Sequence, residues 1–200
     1  TIYPSYYNVS MSQKFTSDWF SHHIPDWERW LHDLKNLPHL DFLEVGVYEG
    51  RSVIWLLQNI LTDKSSKITC IDSFIDPEYD AANIISLKEQ FSRNVFKYRD
   101  QITLFHKTSF EALQELNKIE NKFDFIYIDG CHKAQSVLED GVLAFRLLKN
   151  NAVMIFDDFN WNVKENIHDV PRLAISAFMS VYSNQIKILY VGDQLVIRKL

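Results

Sequence analysis

The chain has 200 residues, 46% of them hydrophobic and 24% charged, which is enough to bury one sizeable core. Its net charge of −5 at pH 7 argues against a nucleic-acid-binding protein, because phosphate binding needs a surplus of Lys and Arg. No apolar run approaches the roughly 20 residues that span a bilayer, so no membrane association is expected. We therefore predict a single domain over residues 1–200.

The cysteines and the N-terminal residues favour a cytoplasmic location. Cys70 and Cys131 have no metal-ligand spacing and suggest no disulfide framework, which fits a reducing compartment. The run TIYPSYYNVSMSQ lacks the charged start and the apolar core of a signal peptide.

Apolar runs alternate with helical patterns along the chain and predict an α/β fold, with a mainly parallel sheet covered on both faces. The predicted strands are LDFLEVGV (40–47), KITCIDSF (67–74), QITLFH (101–106), FDFIYID (123–129) and AVMIFDD (152–158). The predicted helices are 50–61, 81–96, 109–119 with Ser109 as N-cap, 134–149 and 172–182. IKILYV and QLVIRKL, joined at Gly192-Asp193, predict a closing hairpin that adds an antiparallel strand. Ligands of such sheets bind beyond the carboxyl ends of the strands.

The first strand-to-helix turn, EVGVYEGRS, predicts a nucleotide-like cofactor. Gly46 and Gly50 allow a tight turn and a close approach of a ligand, but the dinucleotide pattern GxGxxG is absent. The pattern (D/E)xGxxxG resembles the first motif of class I methyltransferases that bind S-adenosylmethionine. Asp72, at the end of the second strand, is placed to bind ribose hydroxyls, although a turn or helix-cap role is the alternative.

Acidic residues at the ends of the fourth and fifth strands predict a metal site. Asp129, Asp157 and Asp158 should crowd at one sheet edge, where a divalent ion such as Mg²⁺ would relieve their repulsion. Asp157 and Asp158 can share an ion only if the strand has ended and the chain turns. Solvated loop acids are the alternative. His132, three residues beyond Asp129, is the candidate general base, since imidazole titrates near neutral pH.

Together these motifs resemble the metal-dependent O-methyltransferases of the catechol type. The stretch DGCHKAQSVLEDGVLAFRLLKNNAVMIFDD resembles more closely the related group that methylates sugars and antibiotic scaffolds. The catechol enzymes usually have Asp-Asn and a Lys base where this chain has Asp157-Asp158 and His132, which favours the second group.

The resemblance implies a Rossmann-like class I methyltransferase fold, with a mostly parallel seven-stranded sheet, an antiparallel C-terminal hairpin strand and helices on both faces. It implies S-adenosylmethionine and a divalent metal as cofactors, and Asp129 and His132 as catalytic residues. The implied metal ligands are Asp129, Asp157 and Asp158, and the implied cofactor contacts are Glu44, Gly46, Tyr48, Gly50, Ser52, Asp72, Ser73, Ser109 and Asp129.

Residues 1–38 are rich in aromatic side chains and are predicted to form a cap beside the core of residues 39–200. The helical spacing of Trp19, Phe20, Trp27 and Trp30 favours packing roles. Tyr6, Tyr7, His22 and His23 are candidate lid residues, and Trp161 and His168 candidate rim residues. The same aromatic segment could form an interface of a homo-oligomer.

The predicted function is methyl transfer to a hydroxyl group of a small-molecule acceptor, with sugar, phenol and polyketide hydroxyls all compatible. Two alternatives remain open at this point. One is a nicotinamide-dependent oxidoreductase, which the missing GxGxxG and the acidic pair disfavour. The other is a non-catalytic module that binds S-adenosylmethionine.

Overall fold

A computed structural model describes residues 13–119, 122–161 and 166–200. The helices are α1 Ile24–Trp30, α2 Arg51–Asn59, α3 Pro77–Ala82, α4 Leu87–Val95, α5 Ser109–Lys118, α6 Ala134–Leu147 and α7 Pro171–Val181. The strands are β1 Asp41–Val45, β2 Lys67–Asp72, β3 Ile102–His106, β4 Phe123–Ile128, β5 Leu148–Phe156, β6 Ile186–Val191 and β7 Leu195–Lys199. No helix in these ranges is both long and apolar enough to cross a membrane.

The described strands form one seven-stranded sheet in the order β3-β2-β1-β4-β5-β7-β6. The first five strands of that order run parallel, and β7 runs antiparallel to both β5 and β6. The predicted fold class, including the antiparallel hairpin strand, is confirmed. The order reverses between β1 and β4, so the carboxyl ends of these two strands meet at the point where open α/β sheets bind ligands.

Two apolar cores lie on opposite faces of this sheet, because alternate strand residues point to opposite sides. One face, with Phe42 and Phe125, packs against α1, α2 and α4 through residues such as Trp27 and Leu56. The other face packs against α5, α6 and α7 through the second core. Burial on both faces explains why the strands are nearly continuous apolar runs.

Three local features differ from the sequence prediction. The helix expected over residues 81–96 is instead α3 and α4, because Asp76 and Ser86 each accept a backbone N–H and start a separate helix. Ser109 is not the N-cap of α5. That role belongs to Thr108, which forms a capping box with Glu111.

The strand β5 begins four residues earlier than predicted, at Leu148. Its pairing with β4 shifts between Phe123 and Phe125, and Asn151 has a positive φ of 63° in the extra length. The irregularity is a bulge, which keeps the earlier residues in the strand.

Backbone hydrogen bonds continue the sheet one residue past three strand ends. Gly46 N–H donates to the Ile71 carbonyl at 2.9 Å, and Asp129 N–H donates to the Val45 carbonyl at 2.8 Å. Asp157 N–H likewise donates to the Ile128 carbonyl at 2.9 Å. The first residues of three loops are thereby fixed side by side at one sheet edge.

Gly46 is the tightest point of this edge. Its φ is +84°, and a Cβ there would lie 1.9 Å from the Asp129 carbonyl oxygen. We expect Gly46→Ala to lower the free energy of unfolding by about 3 kcal/mol or more, because the methyl group meets backbone and cannot be accommodated by a rotamer change. Urea unfolding measures the loss.

Gly130→Ala is the matched control for that substitution. A Cβ at Gly130 would first meet a methyl group of the Val45 side chain, at 3.3 Å, and not backbone, so a loss under about 1.5 kcal/mol is expected. If both variants lost the same free energy of unfolding, the close contact between Gly46 and the Asp129 backbone would be contradicted.

Candidate active site

A cavity of about 1150 Å³ opens at the carboxyl ends of the parallel strands. Its wall combines the turn after β1, the loops after β2, β4 and β5, and the start of α5. Among the predicted site residues it is lined by Gly46, Tyr48, Asp72, Ser73, Ser109, Asp129, His132, Asp157 and Asp158. Such a volume exceeds the roughly 300–1,000 Å³ of a typical small-molecule site.

Asp72 shapes the turn after β1. Its Oδ2 accepts hydrogen bonds from the backbone N–H of Val47 at 2.9 Å and of Tyr48 at 3.0 Å, and its Oδ1 accepts one from Phe74 N–H at 2.7 Å. Tyr48 and Phe74 both have positive φ angles, of 46° and 51°. The Asp72 carboxylate therefore stabilises two turns with strained backbone angles. This is the turn role that the sequence left open as an alternative to ribose binding.

Glu44, Gly50 and Ser52, predicted as cofactor contacts, do not line this cleft. Glu44 is 0% exposed, and the Ser52 hydroxyl donates to its Oε1. Ser52 lines a neighbouring pocket of about 50 Å³, which shares Gly46, Tyr48 and Asp129 with the cleft. The Glu44 carboxyl group therefore lies in the core, where it is hydrogen-bonded to Ser52 of α2.

The acidic residues and His132 converge at the ends of β4 and β5. Ligand-capable atoms of Asp129, His132 and Asp158 all lie within 4.8 Å of one another. His132 Nε2 is 2.9 Å from Asp158 Oδ2. β5 ends at Phe156 and Asp158 has a φ of 60°, so the chain turns as the sharing of an ion requires.

Asp157 belongs to this group through Tyr127 rather than by direct proximity. The buried Tyr127 hydroxyl lies 3.0 Å from Asp129 Oδ2 and also contacts Asp157 Oδ2. A hydroxyl has one hydrogen, so it donates to one carboxylate and can accept from the other only if that group is protonated.

The pKa values agree with a site that favours a bound cation. Burial, followed by the charges of Asp157 and Asp158, raises the pKa of Asp129 well above its ordinary value. Burial also raises the pKa of Asp157, opposed by its hydrogen bond with Tyr127. Crowded carboxylates with a histidine form an oxygen-rich donor set suited to a hard divalent cation, so the residues present fit such an ion.

The N-terminal residues contribute to the same wall. His22 and His23 line the cleft, and His23 Nε2 is 3.8 Å from Asp157 Oδ1. Burial lowers the pKa of His23, and the Asp157 charge opposes that shift. Trp19, predicted to pack in the core, is instead 67% exposed and lines the cleft beside Tyr48. The spacing argument was wrong there because Trp19 precedes the short 3₁₀ turn Ser21–His23, and α1 begins only at Ile24.

The other aromatic predictions have mixed outcomes. Phe20 and Trp27 are buried in the core, and Trp30 packs against Tyr190. Trp161 lines the cleft and stacks 4.5 Å from His132, whereas His168 does not line it. Tyr6 and Tyr7 lie outside the described residues.

Among the residues in or beside the site that sequence reasoning missed are Tyr127 and Asp140. Tyr127 lies inside an apolar strand run, and only its spacing of two from Asp129 placed it on the same strand face. Asp140 lies inside an amphipathic helix, where an acid at an otherwise apolar position was the only available signal.

Residues 43–159 match the family model described as a methyltransferase domain, so the chain belongs to this methyltransferase family. Among curated proteins, it is 24% identical over 139 residues to an uncharacterised protein of Acanthamoeba polyphaga mimivirus. That match covers 64% of this chain and 58% of the viral protein, so the chain spans well under the full length of that relative.

Two solved structures illustrate the fold. The O-methyltransferase TomG from Streptomyces achromogenes, in complex with S-adenosylmethionine, has 16% identity and a TM-score of 0.64, covering 88% of this chain and 79% of TomG. The MycE methyltransferase from the mycinamycin biosynthetic pathway, with Mg, S-adenosylhomocysteine and mycinamycin VI, has 14% identity and a TM-score of 0.61, covering 92% of this chain and 50% of MycE. Both likenesses show the class I methyltransferase fold.

The buried Glu44 makes the stability of the fold depend on pH. Burial raises its pKa from 4.5 to about 8, while the unfolded chain loses this proton near 4.5. Between these two values the folded state binds one more proton, so stability falls as the pH rises. We expect Glu44→Gln and the wild type to be similarly stable at pH 5. At pH 8 the variant should be more stable, by on the order of 3 kcal/mol.

Urea unfolding at the two pH values checks this difference. Glu115→Gln, at an exposed position of α5, is the control and should track the wild type. Stability curves for Glu44→Gln and the wild type that stay parallel from pH 5 to pH 8 would show that Glu44 is ionised in the fold.

Proposed function

We propose that the protein transfers the methyl group of S-adenosylmethionine to a hydroxyl oxygen of a small-molecule acceptor, assisted by a divalent metal ion. The observation that carries this proposal is one cleft that joins the glycine turn after β1 to the cluster of Asp129, His132 and Asp158. A site for a nucleotide-like methyl donor and a site for a cation are thus adjacent. TomG in complex with S-adenosylmethionine and MycE with Mg support both halves of the proposal.

Each group of the cleft has an assigned task. Gly46, Tyr48, Asp72, Ser73 and Ser109 form the wall against which the methyl donor binds. Asp129, Asp158 and Asp157 would hold the ion, which when bound supplies positive charge that stabilises an oxyanion. S-adenosylmethionine supplies an electrophilic methyl group, so the protein's work is to align the two substrates and to remove a proton. Alignment alone contributes on the order of 7–11 kcal/mol in favourable cases.

His132 is the residue that accepts the acceptor's proton. It faces the cleft between Asp158 and Trp161, with 44% of its side chain exposed, so an acceptor can reach the ring. Trp161 packs at 4.5 Å and limits its rotation. The acceptor itself enters past Trp19 and Trp161, whose exposed rings offer apolar surface at the rim.

Removal of metal should abolish turnover but spare the methyl donor's binding. With labelled S-adenosylmethionine and a panel of sugar, phenol and polyketide acceptors, excess EDTA should stop methyl transfer, and added Mg²⁺ should restore it. Calorimetry in EDTA should still detect S-adenosylhomocysteine, because its wall needs no ion. Full transfer in EDTA would eliminate the metal's role, and transfer to any acceptor excludes a non-catalytic module.

His132→Ala should lower kcat by about 100-fold or more, since general-base catalysis contributes roughly 10²–10⁴. S-adenosylhomocysteine affinity should stay unchanged. His132 is also near enough to the acidic cluster to be a metal ligand, and the Mg²⁺ concentration for half-maximal activity separates the two roles. If His132 is only a base, His132→Ala leaves this concentration unchanged. If His132 is a ligand, the substitution raises it. His32→Ala, an exposed histidine outside the cleft, is the control. A wild-type kcat in His132→Ala would remove it as the base.

A further inference from the structure

A buried hydroxyl group lies directly behind the acidic cluster. Tyr127 belongs to β4 and is 2% exposed, and its hydroxyl lies 3.0 Å from Asp129 Oδ2 and also contacts Asp157 Oδ2. Packing does not require this oxygen, because a phenylalanine ring would fill the same space in the core. A buried polar atom is costly unless it makes hydrogen bonds, so the two carboxyl groups that it contacts give the reason for its presence.

The hydroxyl meets the two carboxyl groups from the core and not from the cleft. Asp129 and Asp157 line the large cleft, whereas Tyr127 does not and lines the neighbouring pocket of about 50 Å³. Its contacts therefore occupy one oxygen of each carboxyl group without filling any of the cleft. The space on the cleft side of the cluster stays available to an ion, so the hydroxyl and an ion there do not compete.

The tyrosine and the carboxyl groups that it contacts are themselves held in place. The Tyr127 ring packs edge-on against Trp27 at 4.7 Å, and Trp27 is fully buried. Asp157 Oδ1 accepts a hydrogen bond from Asp158 N–H at 2.8 Å, so both oxygens of Asp157 have a contact that limits their rotation. Groups that are ordered before a ligand arrives lose less freedom on binding, and partners behind metal ligands strengthen metal binding in this way.

We infer that Tyr127 is a positioning residue of the metal site, whose hydroxyl holds Asp129 and Asp157 in the orientation that binds a divalent cation. The inference rests on the proposed function, because it takes the acidic cluster as the site of the ion. The effect of Tyr127 on the ion acts through these two carboxyl groups. Without the hydroxyl, the two carboxylates repel each other and can rotate apart, and ion binding must then order them again.

A titration of metal-free protein with MnCl₂ tests the inference without relying on turnover. The protein is stripped with EDTA, dialysed and saturated with S-adenosylhomocysteine, and electron paramagnetic resonance measures the free Mn²⁺. Mn²⁺ prefers the same oxygen ligands as Mg²⁺. Tyr127→Phe should raise the Kd for Mn²⁺ by roughly 10–100-fold, which is the usual cost of removing a group that hydrogen-bonds a metal ligand.

Tyr79→Phe is the matched control. Tyr79 is also buried, and its hydroxyl donates to Glu49 Oε1 at 2.9 Å, away from the acidic cluster. This variant loses the same oxygen atom from a buried ring and should keep the wild-type Kd for Mn²⁺. Equal weakening in Tyr79→Phe and Tyr127→Phe would overturn the inference, because the loss of any buried hydroxyl would then explain the result.

Two further outcomes would overturn the inference. If the Kd of Tyr127→Phe equals the wild-type value or is lower, the hydroxyl has no effect on the ion or competes with it. The second outcome needs no variant to fold. A hydroxyl proton bonded to a carboxylate gives a downfield ¹H NMR resonance, and that of Tyr127 should persist in the wild type at saturating Mg²⁺. Its loss would mean that the ion displaces the hydroxyl.

Failure of the proposed function gives a different result. If the wild type binds S-adenosylhomocysteine but no Mn²⁺, the metal half of the proposed function fails, and the inference fails with it. If the wild type and Tyr127→Phe bind Mn²⁺ equally well, the inference alone fails and the metal site stands.

Discussion

The site depends on the hydrogen-bond ladder that runs one residue past the ends of β1, β4 and β5. The amides of Gly46, Asp129 and Asp157 each donate to the last residue or the last but one of a neighbouring strand. Loops normally diverge after strands, but these three start from positions fixed by the sheet. Gly46 has no side chain, and any Cβ there would overlap the Asp129 backbone. The glycine is therefore what allows the turn after β1 and the first acidic loop to come into backbone contact. The proximity of the glycine turn and the acidic cluster is therefore a property of the sheet.

The same ladder forces an electrostatic conflict. It brings Asp129 and Asp157 to one Tyr127 hydroxyl, and the turn at Asp158 adds a third carboxyl group. Burial and the charges of neighbouring carboxylates raise the pKa values of the first two carboxyl groups, so keeping them ionised without a cation is costly. His132 and His23 supply weak compensation from either side, at 2.9 Å and 3.8 Å. A divalent cation would compensate more fully, which gives the arrangement a physical reason to bind one.

Much of the fold could be predicted because its signals are local. Apolar runs gave the five parallel strands, and the Gly192-Asp193 turn gave the hairpin. The acids at strand ends could be placed together because parallel strands end at one edge. Helix α3 was missed since Asp76 and Ser86 act as caps through hydrogen bonds that periodicity does not report. The N-cap of α5 is Thr108 and not the predicted Ser109, because only Thr108 forms the capping box with Glu111, a contact that the two adjacent hydroxyl residues do not reveal in sequence.

Contacts between side chains that are distant in sequence could not be predicted from the sequence. Glu44 matched a cofactor motif, but which side of β1 faces the cleft depends on packing against α2. Asp140 and Ser109 are 31 positions apart by residue number, and no local pattern indicates that the Asp140 carboxyl group contacts the Ser109 hydroxyl. The unpartnered oxygen of Asp140 is likewise visible only once burial is known.

The N-terminal helix α1 is linked to the acidic cluster through the core. Trp27 is fully buried, with its Nε1–H donating to Gln194 Oε1 at 3.0 Å. Its ring packs edge-on against Tyr127 at 4.7 Å, and the Tyr127 hydroxyl contacts both Asp129 and Asp157. Because interiors are close-packed, the position of the Trp27 ring restricts the Tyr127 side chain, and Tyr127 in turn restricts two carboxyl groups. Helix α1 belongs to the segment that the sequence predicts to be a cap. Through Trp27, it also helps to hold the candidate metal ligands in place.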